Sequence, residues 1–133
     1  MSTQSFNFVV HGELLAIARL APDAAVPSWA RGRFLNIART PSELSIVCAQ
    51  EQVPPQTVHE RERIALGIQG VVAMTTVGVL AALCGALAAA RVPVFVISTY
   101  DTDWILVTAE RFASARAALE AAGHTVAGDA PRK

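Results

Sequence analysis

The chain has 133 residues, 53% hydrophobic and 17% charged, and its eleven basic residues balance eleven acidic ones. That length fits one ordinary domain or two very small ones, and the composition excludes a disordered chain. Zero net charge argues against nucleic-acid binding, which draws on a basic excess, and it favours self-association.

Strands fill the first half. Residues 13–20 form the first candidate, broken by Pro22 and Asp23, with Pro27-Ser28-Trp29 in a loop. Residues 33–39 form the second, with Leu35 and Ile37 on one face. Residues 43–49 form the third, with Leu44, Ile46 and Cys48 inward and Ser45 outward, the alternation a half-buried strand requires. Residues 51–63 hold Pro54-Pro55 and the charged cluster His59-Glu60-Arg61-Glu62-Arg63, which reads as a solvated linker dividing the chain near residue 60.

The second half has a definite order. Residues 64–69 form a strand and 70–76 a loop. Residues 77–90 form an Ala- and Leu-rich helix, with Leu80, Leu83 and Leu87 as its inner stripe and the small Ala82, Ala86 and Ala89 allowing close packing. Strands follow at 94–99 and 104–107. A second helix is capped by Thr108, with Glu110 in its first turn. Its inner stripe is Phe112, Ala115 and Leu119, it stops at Gly123, and a short strand at 124–127 closes the chain. This βαββαβ order predicts an α+β, ferredoxin-like unit: a four-stranded antiparallel sheet with both helices on one face. Residues 64–90 carry no charge, a length able to span a bilayer. Gln69, Thr75, Thr76 and four glycines interrupt the run, so a strand, a turn and a buried helix fit it without a membrane.

Cys48 and Cys84 lie in apolar runs and provide neither a disulfide framework nor a zinc cluster. With no signal-peptide pattern in the segment that starts Met1-Ser2-Thr3, the expectation is a reduced, cytoplasmic protein. Three constellations bear on chemistry. In the run from Ser98 to Asp103, an Asp-x-Asp pair lacks the further carboxylates a metal needs, so it reads as a turn or as a polar-ligand wall. The loop between Gly70 and Gly78 precedes a helix N-terminus, which attracts anions, but it has neither a phosphate-loop lysine nor a dinucleotide glycine spacing. Ser45, Ser98 and Cys48 have no identifiable base, because His11, His59 and His124 are scattered, with His59 solvated and His124 structural. The reading is a non-enzyme without cofactor or metal.

The run Ser98-Thr-Tyr-Asp-Thr-Asp-Trp-Ile-Leu-Val107 resembles a signature of the CASTOR-type ACT-domain proteins, small amino-acid-binding proteins that include cellular arginine sensors. Thr40-Pro-Ser-Glu-Leu-Ser-Ile-Val-Cys48 with Val53-Pro54, the Val26-Pro27 and Trp29 pattern, and Gly123-His124 resemble further motifs of that family in the same order. The resemblance implies two ACT-like modules in tandem: a shortened one in residues 1–60 and a complete one in 61–133. It implies a regulatory sensor that forms a homodimer and binds a free amino acid at an ACT–ACT interface. Carried over, the ligand residues are Val72, Met74, Thr75, Thr76, Val77 and Gly78 of the loop, with Ile97, Ser98, Thr99, Asp101 and Asp103 of the strand end. Ala73 stands where the family's loop has an acidic residue and Val77 where it has a hydroxyl. That departure weakens the case for a cationic ligand and leaves open a protein-interaction module with a vestigial pocket.

Overall fold

A computed structural model describes residues 4–132; the first three residues of the N-terminal segment and Lys133 lie outside them. In chain order the described elements are β1 (Asn7–Val10), β2 (Leu15–Leu20), β3 (Asn36–Arg39), β4 (Leu44–Ala49), β5 (Val58–Ile68), α1 (Val79–Ala89), β6 (Phe95–Ser98), β7 (Asp103–Thr108), α2 (Phe112–Ala121) and β8 (Thr125–Ala127). They divide into two compact units. One runs Glu13–Arg63; the other is Ile64–Pro131 together with the N-terminal residues up to Gly12. The division is therefore not a single cut near residue 60: one unit is inserted within the sequence of the other.

In the inserted unit the strand order is β3-β4-β2-β5, with antiparallel neighbours throughout. This is the ferredoxin-like arrangement, but both helices are missing. Residues 21–35, carrying Pro22, Pro27 and Gly32, stand in place of the first and cannot sustain a helix. They are pinned instead. Arg39 donates to the carbonyls of Pro22 and Ala24, and Gln52 Nε2 donates to those of Trp29 and Arg31. Trp29, Ala24 and Ala30 then cover a core of Ala16, Ala18, Leu44, Ile46, Cys48 and Val53. Leu44, Ile46 and Cys48 face inward, as their alternation requires. Leu35 and Ile37 do not complete a buried face: β3 starts only at Asn36, and both side chains are exposed.

The charged cluster at 59–63 is strand rather than linker, since β5 begins at Val58. Two steps along β2, from Leu15 to Ile17, face three along β5, from Arg63 back to Glu60. The extra residue makes a bulge, where Glu62 takes φ +60°. Buried Gln50 secures it. Its side-chain oxygen accepts the Glu62 N–H and its carbonyl accepts Arg61 Nη1. His59 is half-buried, with Nδ1 2.6 Å from the Thr57 carbonyl oxygen.

The other unit has the order β6-β7-β5-β1-β8. The expected four-stranded antiparallel sheet is therefore enlarged. β1 lies between the first and last strands of the βαββαβ motif, antiparallel to β5 (Phe8 opposite Ile68) and parallel to β8 (Phe8 opposite Val126). α2 packs on β7, β8 and α1, with Phe112, Ala115 and Leu119 buried. α1 buries Val79, Leu83 and Leu87. Leu80 is not part of that stripe: the helix starts at Val79, and i, i+4, i+8 spacing brings Val79 inward and turns Leu80 out. Ala82 and Ala89 are exposed and Ala86 half-buried, so the small-residue face is mostly uncovered. Thr108 makes no capping bond, because a 3-10 turn at Ala109–Arg111 separates it from α2. Gly123 ends α2 at φ +96°, with the Gly123 and His124 N–H groups donating to Glu120 and Leu119. The uncharged 64–90 run resolves into the end of β5, a loop and α1, and no helix among the described residues is long and apolar enough to cross a membrane.

Candidate functional site

Two loops of the Ile64–Pro131 unit meet at one end of its sheet: the β5–α1 loop (residues 69–78) and the β6–β7 turn (residues 99–102). Backbone chemistry joins them. The Val72 N–H donates to the Asp101 carbonyl (2.6 Å), and Thr102 Oγ1 donates to the Ile68 carbonyl (2.9 Å). The turn closes on itself, with the Thr99 N–H and Oγ1 donating to the Thr102 carbonyl while Thr99 Oγ1 accepts the Thr102 N–H. Gly70 and Gly78, at φ +89° and +87°, let the first loop leave β5 and enter α1. These ties enclose an open pocket of about 600 Å³.

Its floor on the strand side is the Ser98–Asp103 pair, opposite each other in the β6–β7 ladder, with Ser98 Oγ donating to Asp103 Oδ1. Its other side is the N-terminus of α1. Gly78 caps that helix without a side-chain bond, and no acidic residue occupies the first turn. The unpaired first-turn N–H groups and the helix dipole therefore present partial positive charge there. The pocket thus sets one carboxylate near one anion-attracting helix end.

Of the residues carried over from the family motif, Val72, Met74, Thr76, Gly78, Ser98, Thr99 and Asp103 line this pocket. Thr75, Val77, Ile97 and Asp101 do not. Strand alternation turns Ile97 to the sheet face opposite Ser98, where it is buried. Val77 is 88% exposed, and the Asp101 backbone carbonyl takes up the Val72 N–H while its side chain is exposed. Ala73, Tyr100 and Thr102, which lie in the loop and the run that the sequence singles out, line the pocket too, and so do Val79, Leu80 and Ala81, which sequence reasoning passed over. For Val79 to Ala81 the signal was present: a site at a helix N-terminus includes the first turn, not only the loop before it. Val71, Met74, Val77 and Tyr100 on the two loops are large, apolar or aromatic, and more than 70% exposed. Among the described residues no group of three or more His, Cys, Asp or Glu side chains is placed to hold a metal ion. Burial raises the Cys48 thiol, with the Glu13 charge adding to the effect, so this cysteine is poorly suited to nucleophilic work.

Residues 58–121 match the family model of the ACT domain, and residues 13–56 match a second model, described as an N-terminal domain. No curated protein matches the sequence. The structure resembles that of a protein from Agobacterium tumefaciens, 28% identical, with TM-score 0.91 over 98% of this chain and 99% of that one. It also resembles the regulatory subunit of aspartate kinase from Thermus flavus, 14% identical, with TM-score 0.65 over 90% and 99% of the two chains. A third likeness is to the Clostridium acetobutylicum aspartate kinase, 12% identical, with TM-score 0.68 over 92% of this chain and 36% of that one. The chain therefore has a mixed α+β, ferredoxin-like fold of the ACT type, with an ACT domain matched across residues 58–121.

Proposed function

We propose that this protein is a non-enzymatic regulatory sensor whose pocket binds a free amino acid. The observation that carries the reading is the pairing of Asp103 with the uncapped N-terminus of α1 in one pocket. A zwitterion needs one site for its ammonium group and one for its carboxylate, and charge-assisted bonds at both ends suit these two features. The ACT match and the likeness to aspartate kinase regulatory subunits support a regulatory role. The exposed apolar side chains of the two loops support a homodimer that covers the pocket mouth, since patches of this kind mark interaction surfaces. The chain is then a tandem ACT protein of the cytoplasm, with the shortened module in the inserted unit.

A second reading is a protein-interaction module with a vestigial pocket. It is favoured by the charge-free face of α1, where Ala81, Ala82, Gly85 and Ala88 are exposed. A thermal-shift screen against the twenty amino acids separates the two. Binding to the native state alone adds about 2.7 kcal/mol at a hundredfold excess over Kd, roughly 5–15 °C for a chain of this size. A selective shift that disappears in Asp103→Asn is the expected result. A flat screen at millimolar concentration abandons the sensor for the interaction module.

A further inference from the structure

We infer that the pocket selects a neutral amino acid with an aliphatic side chain, an inference that rests on the amino-acid-binding reading above. The argument is a charge and hydrogen-bond inventory. Among the described residues lining the pocket, Asp103 is the sole charged side chain at neutral pH. The ligand ammonium group takes Asp103, which retains acceptor capacity beyond its bond from Ser98. The ligand carboxylate takes the backbone N–H groups at the start of α1. Both complementary charges are then spent. A second cation on the ligand, as in lysine or arginine, finds no carboxylate, and a second anion, as in glutamate, meets no basic side chain. Enclosing either would strand a charge, which is costly.

Three of the five lining hydroxyls are spent inside the turn. The protons of Ser98, Thr99 and Thr102 are committed to Asp103, the Thr102 carbonyl and the Ile68 carbonyl. They tie the turn together and have no donor left for a polar side chain. Outside the turn the wall carries the Thr76 and Tyr100 hydroxyls and is otherwise apolar, with Val72, Met74, Val79 and Leu80 as its large side chains. Ala73 completes it on the loop without adding a polar atom. An aliphatic side chain loses nothing in this setting and gains burial, about fourfold in affinity per methylene removed from water.

The test is isothermal titration of the full chain with L-leucine, L-isoleucine, L-methionine, L-alanine, L-asparagine, L-lysine, L-arginine and L-glutamate. Leucine, isoleucine or methionine should bind at least tenfold more tightly than asparagine and the three charged amino acids, with alanine weaker than leucine by roughly 50-fold. Ala73→Asp should narrow or reverse the preference for leucine over lysine by supplying the missing carboxylate. Leu80→Gln should weaken leucine more than alanine. Tight binding of lysine, arginine, glutamate or asparagine with weak binding of the aliphatic set overturns this inference and leaves the sensor reading intact. Failure of all eight, joined to a flat screen with the remaining amino acids, overturns both.

Discussion

His124 shows how one buried side chain couples sequence to pH. Its Nδ1 accepts the Phe6 N–H at 3.0 Å, its ring stacks on Phe6, and it meets Phe8 edge-on. Burial lowers its pKa from the ordinary 6.5. The folded state thus prefers the neutral ring. Above pH 6.5 both states are neutral and this stabilisation is complete. As pH falls below 6.5 the unfolded chain takes up the proton first, and stability declines until the folded pKa is passed. Thermal midpoints should therefore fall from pH 7 towards pH 5, and His124→Gln should flatten that slope. An unchanged slope in the variant would place the titration elsewhere. Gly67 is constrained by contact instead. A Cβ there would lie 2.6 Å from the indole ring of Trp104, which covers this point of β5. Gly67→Ala should cost about 1–3 kcal/mol by overpacking. In the Trp104→Leu background, chemical denaturation should show most of that cost removed, since the two residues share one contact.

At the level of elements, α1 offers a direct contrast between leucines. Leu83 is fully buried, whereas Leu80 is 38% exposed at the pocket. Leu83→Ala should lose about 2–5 kcal/mol in urea denaturation, whereas Leu80→Ala should lose under about 1 kcal/mol and act on ligand binding instead. Equal losses would restore Leu80 to the inner stripe. The sequence made both leucines look alike because three- and four-residue spacings both lie near the helical period, and only the starting residue decides between them. The β4 alternation was legible because Leu44, Ile46 and Cys48 face one way. The start of β5 was not. Its five consecutive charged or titratable residues hide the period of two, and what holds them in a strand is pairing with β2 and the side chain of Gln50, both remote in sequence. The loop and turn of the pocket were legible from Gly70, Gly78 and the Ser98–Asp103 run. The orientation of Ile97 required the strand register.

The placing of β1 belongs to the whole molecule, and no local pattern announces it. Residues up to Gly12 precede the inserted unit in sequence yet form part of the Ile64–Pro131 unit. β1 fills the slot between β5 and β8, and the β8 backbone pairs with it rather than with β5. Without β1, both strands lose a ladder partner and the buried Phe8 leaves its place beside His124. A chain of residues 61–133 alone should therefore fail to fold cooperatively, even though it holds nearly the whole ACT match. The register offers a repair. Val10 faces Leu66, and the His11 N–H donates to the Ala65 carbonyl, so Gly12 and Ile64 are neighbours at the open end of an antiparallel pair. Replacing residues 13–63 by Asn-Gly joins His11 and Ala65, the last hydrogen-bonded pair, through the four-residue loop Gly12-Asn-Gly-Ile64, a common hairpin length. The shortened chain should unfold in one cooperative transition and retain the pocket, whose lining lies wholly outside the excised segment. A broad, non-cooperative melt of this chain would mean that the inserted unit supplies stability the pocket-bearing unit lacks. A sharp melt with a selective amino-acid shift would place fold and recognition in one half of the sequence.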